Sequence, residues 1–264
     1  MPQDIRDELL RLLAINGVEQ WVPNHIAIEQ LEHYGDRLIP GLIECLGDED
    51  AEIRRLAAEL LSEGRLRSAM AIPALIERVA DEDRLVRHSA VRALMGLGDA
   101  ARPAIPALKR LLDDHTEPYI RLSAAGAISR IAPEEPAALP VLVEGLGDPV
   151  SIHRATACEF LGERRNKSAV LNAMTLLSDP DFSVRFAAGV AVGKTFNNWM
   201  HAVAVCVAML KDSDWTTRRA GKECLLSLGP HAKADMDLLT MAIVDAPWEV
   251  RLDLEEALNE LRRQ

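Results

Sequence analysis

Aromatic residues are scarce in this chain: Phe, Trp and Tyr make up 4% of 264 residues, and no apolar run approaches 18 residues. The second absence argues against a membrane-spanning helix. The opening Met-Pro-Gln-Asp-Ile-Arg-Asp-Glu-Leu-Leu holds no basic stretch leading into an apolar one, so a cytoplasmic protein without a secretory leader is expected. The four cysteines, Cys45, Cys158, Cys206 and Cys224, are scattered without a CxxC pair, which excludes a disulfide framework and predicts reduced, buried thiols. HExxH, GxSxG, Gly-rich phosphate loops and zinc-spaced Cys/His clusters are missing, so no catalytic residue, metal ligand or cofactor is expected. Positive charge is also short: 30 Lys and Arg stand against 41 Asp and Glu, a net charge of −11. Nucleic acid, which needs a concentrated positive surface, is therefore not the expected partner.

What the chain does have is a beat. Arg recurs at 54, 87, 121, 154, 185, 218 and 251, in steps of 31 to 34 residues. Six of the seven follow an Asp by six positions: Asp48, Asp81, Asp148, Asp179, Asp212 and Asp245; Asp114 stands seven before Arg121. A fixed period in this range is the signature of a solenoid of stacked supersecondary units. Around most of these Arg residues, apolar or small residues fall at offsets −1, +3 and +7, as in Val86, Ala90 and Leu94, which is one face of a helix. The small residue at +3, Gly221 in one repeat, leaves room for a neighbouring helix. A second helix follows, opened by Pro40, Pro73, Pro106 or Pro140, where an early proline loses no hydrogen bond.

Residues 4–15 form an amphipathic helix with Ile5, Leu9, Leu12 and Leu13 on one side, stopped by Asn16-Gly17. The expected organisation is a single domain, 1–264: a cap and degenerate first repeat over 1–47, regular repeats over 48–247, and a capping helix over 248–264. Asp at each beat is expected to accept N–H groups in the turn entering the first helix. Arg54, Arg87, Arg121, Arg154, Arg185, Arg218 and Arg251 form a structural ladder reaching the Asp or carbonyls of an adjacent repeat.

The unit Asp-x-x-x-x-Val-Arg-x-x-Ala-x-x-x-Leu, followed by Ile-Pro-x-Leu, resembles a HEAT repeat, in the short bacterial form found in phycobilin-lyase-like proteins. The resemblance covers about residues 22–264. It implies an all-α, right-handed α-solenoid of about seven to eight helix pairs with capping helices at both ends, the second helices lining the concave face. Deoxyhypusine hydroxylases share this fold but hold two irons with paired His-Glu steps, and this chain has no His-Glu dipeptide. The HEAT-like alkylpurine DNA glycosylases use a basic cleft, which the acidic balance does not suit. Bilin lyases lack a compact motif and stay open.

Two rows are candidate binding surfaces. On the second helices, four residues before each beat, stand Glu44, Glu77, Arg110, Glu144, Thr175, Ala208 and Met241, passing from charged to neutral and apolar; such a concave row suits a basic or amphipathic peptide. Three residues before the Arg, the last three repeats carry Phe182, Trp215 and Trp248. Rings of this size are expected to cover neighbouring helix ends; an exposed row would instead be an anchor strip. Met174, Met200, Met209, Met236 and Met241 are read as irregular core filling that also suits an adaptable surface. His153 and Thr217 occupy apolar slots, and Ile152 is expected to turn inward in place of His153. The function expected is a non-enzymatic scaffold binding a protein or peptide along the concave face. The alternatives are a bilin lyase or chromophore chaperone binding a tetrapyrrole, then a HEAT-like nucleic-acid binder.

Overall fold

The computed structural model describes residues 2–15, 24–64, 66–233, 235–244, 246 and 248–263. Asn16-Gly17, Asp245, Gln264 and the side chain of Leu13 lie outside the described residues. Every regular element among the described residues is helical, and none is long and apolar enough to cross a membrane. The chain divides into two compact units, residues 1–141 and 142–264.

The first unit runs α1 (Pro2–Ile15), α2 (Asn24–Leu31), α3 (Leu38–Cys45), α4 (Ala51–Ser62), α5 (Ile72–Arg78), α6 (Arg84–Leu97), α7 (Ile105–Leu111) and α8 (Pro118–Ile131); α9 (Ala138–Gly145) spans the boundary. The first helices α4, α6 and α8 pack in sequence, and α3, α5 and α7 lie against them. Ile53, Ala57 and Leu61, Val86, Ala90 and Leu94, and Ile120, Ala124 and Ile128 are all buried, so the −1, +3, +7 face is the core face. The second helices are short, because 3-10 turns at Ala69–Ala71 and Gly98–Ala104 take up part of the connection.

The second unit contains α10 (Ser151–Arg164), α11 (Lys167–Ala173), α12 (Phe182–Phe196), α13 (Met200–Leu210), α14 (Trp215–Ser227), α15 (Pro230–Lys233), α16 (Met236–Val244) and α17 (Trp248–Arg263). Here the stacking departs from that of the first unit. α10 packs closely on α12, but α12 and α14 make few direct contacts, and α13 packs against both. Glycines permit this. A Cβ on Gly189 of α12 would stand 2.7 Å from the Ala202 nitrogen, and one on Gly221 of α14 would stand 2.7 Å from Met209 Cβ.

Four of the first helices, α4, α6, α12 and α14, are opened by two aspartates in an Asp-x-Asp spacing. The Asp of the beat folds the turn, accepting the N–H two residues on at 2.9 Å in Asp48, 3.0 Å in Asp81, 2.9 Å in Asp179 and 2.9 Å in Asp212. The second Asp is the N-cap. Asp83, for example, accepts the N–H groups of Leu85 and Val86 at 2.7 and 3.1 Å. Asp83→Ala is expected to lower stability by about 1 kcal/mol in urea unfolding, the usual cost of losing such a cap, and Asp83→Asn by far less.

Candidate functional site

The Arg ladder is a set of forks. Arg54 turns Nη1 to the carbonyls of Asp48 and Glu49 in its own turn (2.9 and 3.0 Å). Its Nε and Nη2 donate to both oxygens of Asp81 in the next repeat, at 2.9 and 2.8 Å. Arg154 does the same with Asp148, Pro149 and Asp179. Burial opposes ionisation of Asp81, yet the Arg54 fork and the Asp83 N–H outweigh it, so this carboxyl titrates below its usual range. At Asp179 the Arg154 hydrogen bond leads the same lowering.

Elsewhere the rungs are substituted. Arg87 reaches Glu117 at 2.6 Å, since the one-residue insertion leaves Asp114 folding a turn with Thr116 instead. Arg218 reaches Asp253 at 2.5 Å, and Arg121 donates to the Leu112 carbonyl at 2.7 Å. Arg185 bonds the carbonyls of Asp179 and Pro180 in its own turn, and Arg251 bonds the Ala246 carbonyl at 3.2 Å. Arg6 supplies a rung that the periodicity does not contain, donating to Asp48 at 2.5 Å.

His153 is mostly buried, with Nδ1 3.0 Å from Asp148 Oδ1. Ile152 does not turn inward; it is 54% exposed. Rotating α10 to bury Ile152 would swing Arg154 away from Asp179, so the fork sets the helix's rotation. Thr217 is also satisfied, donating its hydroxyl to Asp214 at 2.9 Å. The cysteines are free: Cys45, Cys158 and Cys206 are buried and Cys224 half-buried. Burial pushes the Cys45 thiol up to about 11 and that of Cys158 to about 12.

All seven residues of the second-helix row, from Glu44 to Met241, are exposed. Glu77 and Arg110 share one shallow cleft of about 380 Å³ with Pro106 and Arg87. Thr175 stands in a 3-10 turn, Met174–Ser178, rather than in a helix; its hydroxyl bonds the Asn172 carbonyl at 2.9 Å, a local bond that competes with helical continuation.

The rings do not cover helix ends. Phe182, Trp215 and Trp248 are 37%, 61% and 70% exposed. Each is the first residue of its helix, where a side chain projects past the end of the core. Of the methionines, Met209 is buried while Met174, Met200 and Met241 are exposed. Thr175, Ala208 and Met241 lie in the last turns of the second-helix segments, and the rings open the helices that follow. Within the second unit the two candidate rows therefore flank the same turns. Ionised carboxylates line these turns: Asp214, its carboxyl pulled down to about 2 by the Thr216 hydroxyl and the Thr217 N–H and hydroxyl, directly precedes Trp215, and Asp181, lowered chiefly by the Ser183 hydroxyl, directly precedes Phe182.

At the other ends of these helices lies a cleft that sequence reasoning missed, lined by Arg165, Lys167, Lys194, Thr195, Trp199 and His231 among others, about 650 Å³ in volume. Its residues, such as Trp199 and His231, do not return with the repeat, so periodicity carries no signal for it.

HEAT repeats are recognised over residues 8–95, 39–129, 91–153 and 139–198. No curated protein matches the chain. Among solved structures, the chain is similar to one from the complex of CpcE and CpcF of phycocyanin lyase from Nostoc sp. PCC7120, with 25% identity and a TM-score of 0.58 over 84% of this chain and 87% of that one. An engineered protein matches at 20% identity and a TM-score of 0.48, covering 99% of this chain and 74% of the other. Human deoxyhypusine hydroxylase in complex with glycerol matches at 21% and 0.38, covering 100% and 96%. With HEAT repeats matched from residue 8 to residue 198, well over half of its length, the chain belongs to the HEAT-repeat family.

Proposed function

We propose that the chain is a non-enzymatic interaction scaffold that binds a protein segment along the turns of its second unit, between the row Thr175, Ala208, Met241 and the row Phe182, Trp215, Trp248. The observation that carries this reading is the exposure of three aromatic rings in register on successive repeats, in a chain that has few aromatics to spend. Exposed Leu171, Met174, Val244 and Leu252 extend the apolar character of the unit. Rings of this kind act as anchors, each burying 150–250 Å² in favourable cases. The carboxylates of Asp181 and Asp214 beside them suit a basic, amphipathic segment. The test is capture from lysate by the wild type, by a Phe182→Ala, Trp215→Ala, Trp248→Ala variant and by a Thr175→Glu, Ala208→Glu, Met241→Glu variant, each with unchanged helicity. One specific protein retained by the wild type is expected to be lost with the first variant and weakened at least about tenfold with the second. Equal capture by all three would overturn the reading.

A second reading rests on the likeness to a chain of the phycocyanin lyase complex: a bilin lyase or chromophore chaperone. A linear tetrapyrrole mixed with the protein would then change its visible absorbance, and an unchanged spectrum would remove this alternative.

A further inference from the structure

We infer that the cleft formed by Arg165, Lys167, Lys194, Thr195 and Trp199 binds a phosphate group carried by a small molecule. The site lies within the second unit, at the far end of α12 from Phe182, about 20 Å away at 1.5 Å per residue.

The charge of the cleft runs against that of the chain. The chain has 41 acidic residues against 30 Lys and Arg, yet the cleft is lined by three of the cations and by no carboxylate. Cations near helix C-termini often only complement the helix dipole, and Lys194 in the last turn of α12 and Arg165 at the C-cap of α10 fit that account. Lys167 does not. It opens α11, where a positive charge opposes the dipole.

The cleft also holds a pair of buried donors. Trp199 Nε1 and Thr195 Oγ1 are both shielded from solvent and have no hydrogen-bond partner among the described residues. Buried donors without acceptors are costly and uncommon. The indole is also fixed in place. Its ring stacks on His231 at 4.1 Å between centroids and 15° between planes, and it lies so close over Gly193 that a Cβ there would come within 2.5 Å of its Cε3. The two non-glycine residues with positive φ among the described residues, Arg165 (φ 51°) and Asn197 (φ 56°), are the left-handed C-caps of α10 and α12 that close the two sides of the cleft.

The donors select the ligand. A guanidinium fork, two ammonium groups, an indole N–H and a hydroxyl outnumber what the two oxygens of a carboxylate accept, whereas a phosphate offers three terminal oxygens and close to two negative charges. A volume of about 650 Å³ holds more than the phosphate itself, and Phe196 with the Trp199–His231 stack gives the remainder of the molecule a flat wall.

Calorimetric titration with pyrophosphate tests this, with inorganic phosphate, citrate and a short DNA duplex as further probes at matched ionic strength. Wild type is expected to bind pyrophosphate. Lys167→Gln combined with Lys194→Gln, both surface changes, is expected to weaken it at least about tenfold. Trp199→Phe, which keeps the ring over Gly193 but removes the N–H, is expected to weaken it several-fold. Lys211→Gln, on the opposite edge of the unit, is expected to leave it unchanged. No binding of either phosphate probe by the wild type, or an equal loss with Lys211→Gln, would overturn the proposal. So would citrate bound as tightly as pyrophosphate, or the duplex bound more tightly with the same dependence on Lys167 and Lys194; the first would reassign the cleft to carboxylates and the second to nucleic acid.

Discussion

Asp81→Ala is expected to lower the unfolding free energy by about 3–5 kcal/mol, the range for removing one partner of a buried ion pair. The two side chains are 6% and 3% exposed, and without Asp81 the Nε and Nη2 of Arg54 lose both of their acceptors while the rest of the guanidinium stays bonded to its own turn. The same change removes the acceptor that folds the Asp83 turn, so the loss spreads to the start of α6. Urea unfolding followed by circular dichroism measures it. Arg185→Ala is the comparison: its bonds are to carbonyls of its own turn, so its effect should be clearly smaller. An equal effect of the two substitutions would show that the fork to the next repeat adds nothing.

The pair also carries a pH dependence of defined sign. The Asp81 carboxyl titrates lower in the folded chain than in the unfolded one, where its value is about 4. Its contribution to stability is therefore present above about pH 4 and is lost as the pH falls through the folded value. Asp179, lowered in the same way, acts in the same window. Asp81→Asn should make the urea midpoint less sensitive to acid below pH 4 than that of the wild type.

The second large effect is expected at Gly189. A Cβ there would meet Ala202 N at 2.7 Å and Ala202 Cα at 2.8 Å, and backbone cannot swing aside as a side-chain tip can. Alanine would bring a helix-propensity gain of about 1 kcal/mol, set against overpacking that costs about 1–3 kcal/mol; Gly189→Val keeps little of the gain and should lose about 2–3 kcal/mol. Gly96→Ala is the control. It also sits inside a helix, but the nearest atom to its added Cβ is Arg67 Nε at 3.0 Å, on a side chain that donates to the Ser62 carbonyl and needs to give by only a few tenths of an ångström, so the change should cost clearly less than either substitution at Gly189. Thermal unfolding of the three variants separates the cases.

The repeat architecture was legible because its determinants recur: the buried −1, +3, +7 face and the Asp-to-Arg beat return in nearly every repeat. The Asp-x-Asp caps stand in the sequence as well, in Asp48-Glu-Asp50, Asp81-Glu-Asp83, Asp179-Pro-Asp181 and Asp212-Ser-Asp214, but the pair is absent before α8 and α10, so it is a weaker periodic signal than the Asp-to-Arg spacing. Ring exposure was not legible, since a position fixes the edge on which Trp215 stands and not whether another element covers it. The Ile152 expectation failed because hydropathy of two neighbouring residues says nothing about the Arg154 fork that holds the helix's rotation. The cleft at Trp199 was beyond reach for a different reason: it is assembled from the ends of α10, α11, α12 and α13 together with α15, from residues such as Trp199 and His231 that the period does not return.

The packing of α13 against both α12 and α14 can be put in mechanical terms. Where first helices press directly together and an Arg fork clamps them, as between α10 and α12, the joint behaves as a stiff hinge plate. Between α12 and α14 the direct contact is slight and Arg185 clamps only its own turn, so the two are joined through α13, which packs against both. That indirect joint separates Phe182 from Trp215. On the proposed function, the spacing of these two rings is set by one intervening helix, and a partner whose anchor residues are spaced slightly differently would be met by repositioning α13 while the fork between α10 and α12 keeps its form.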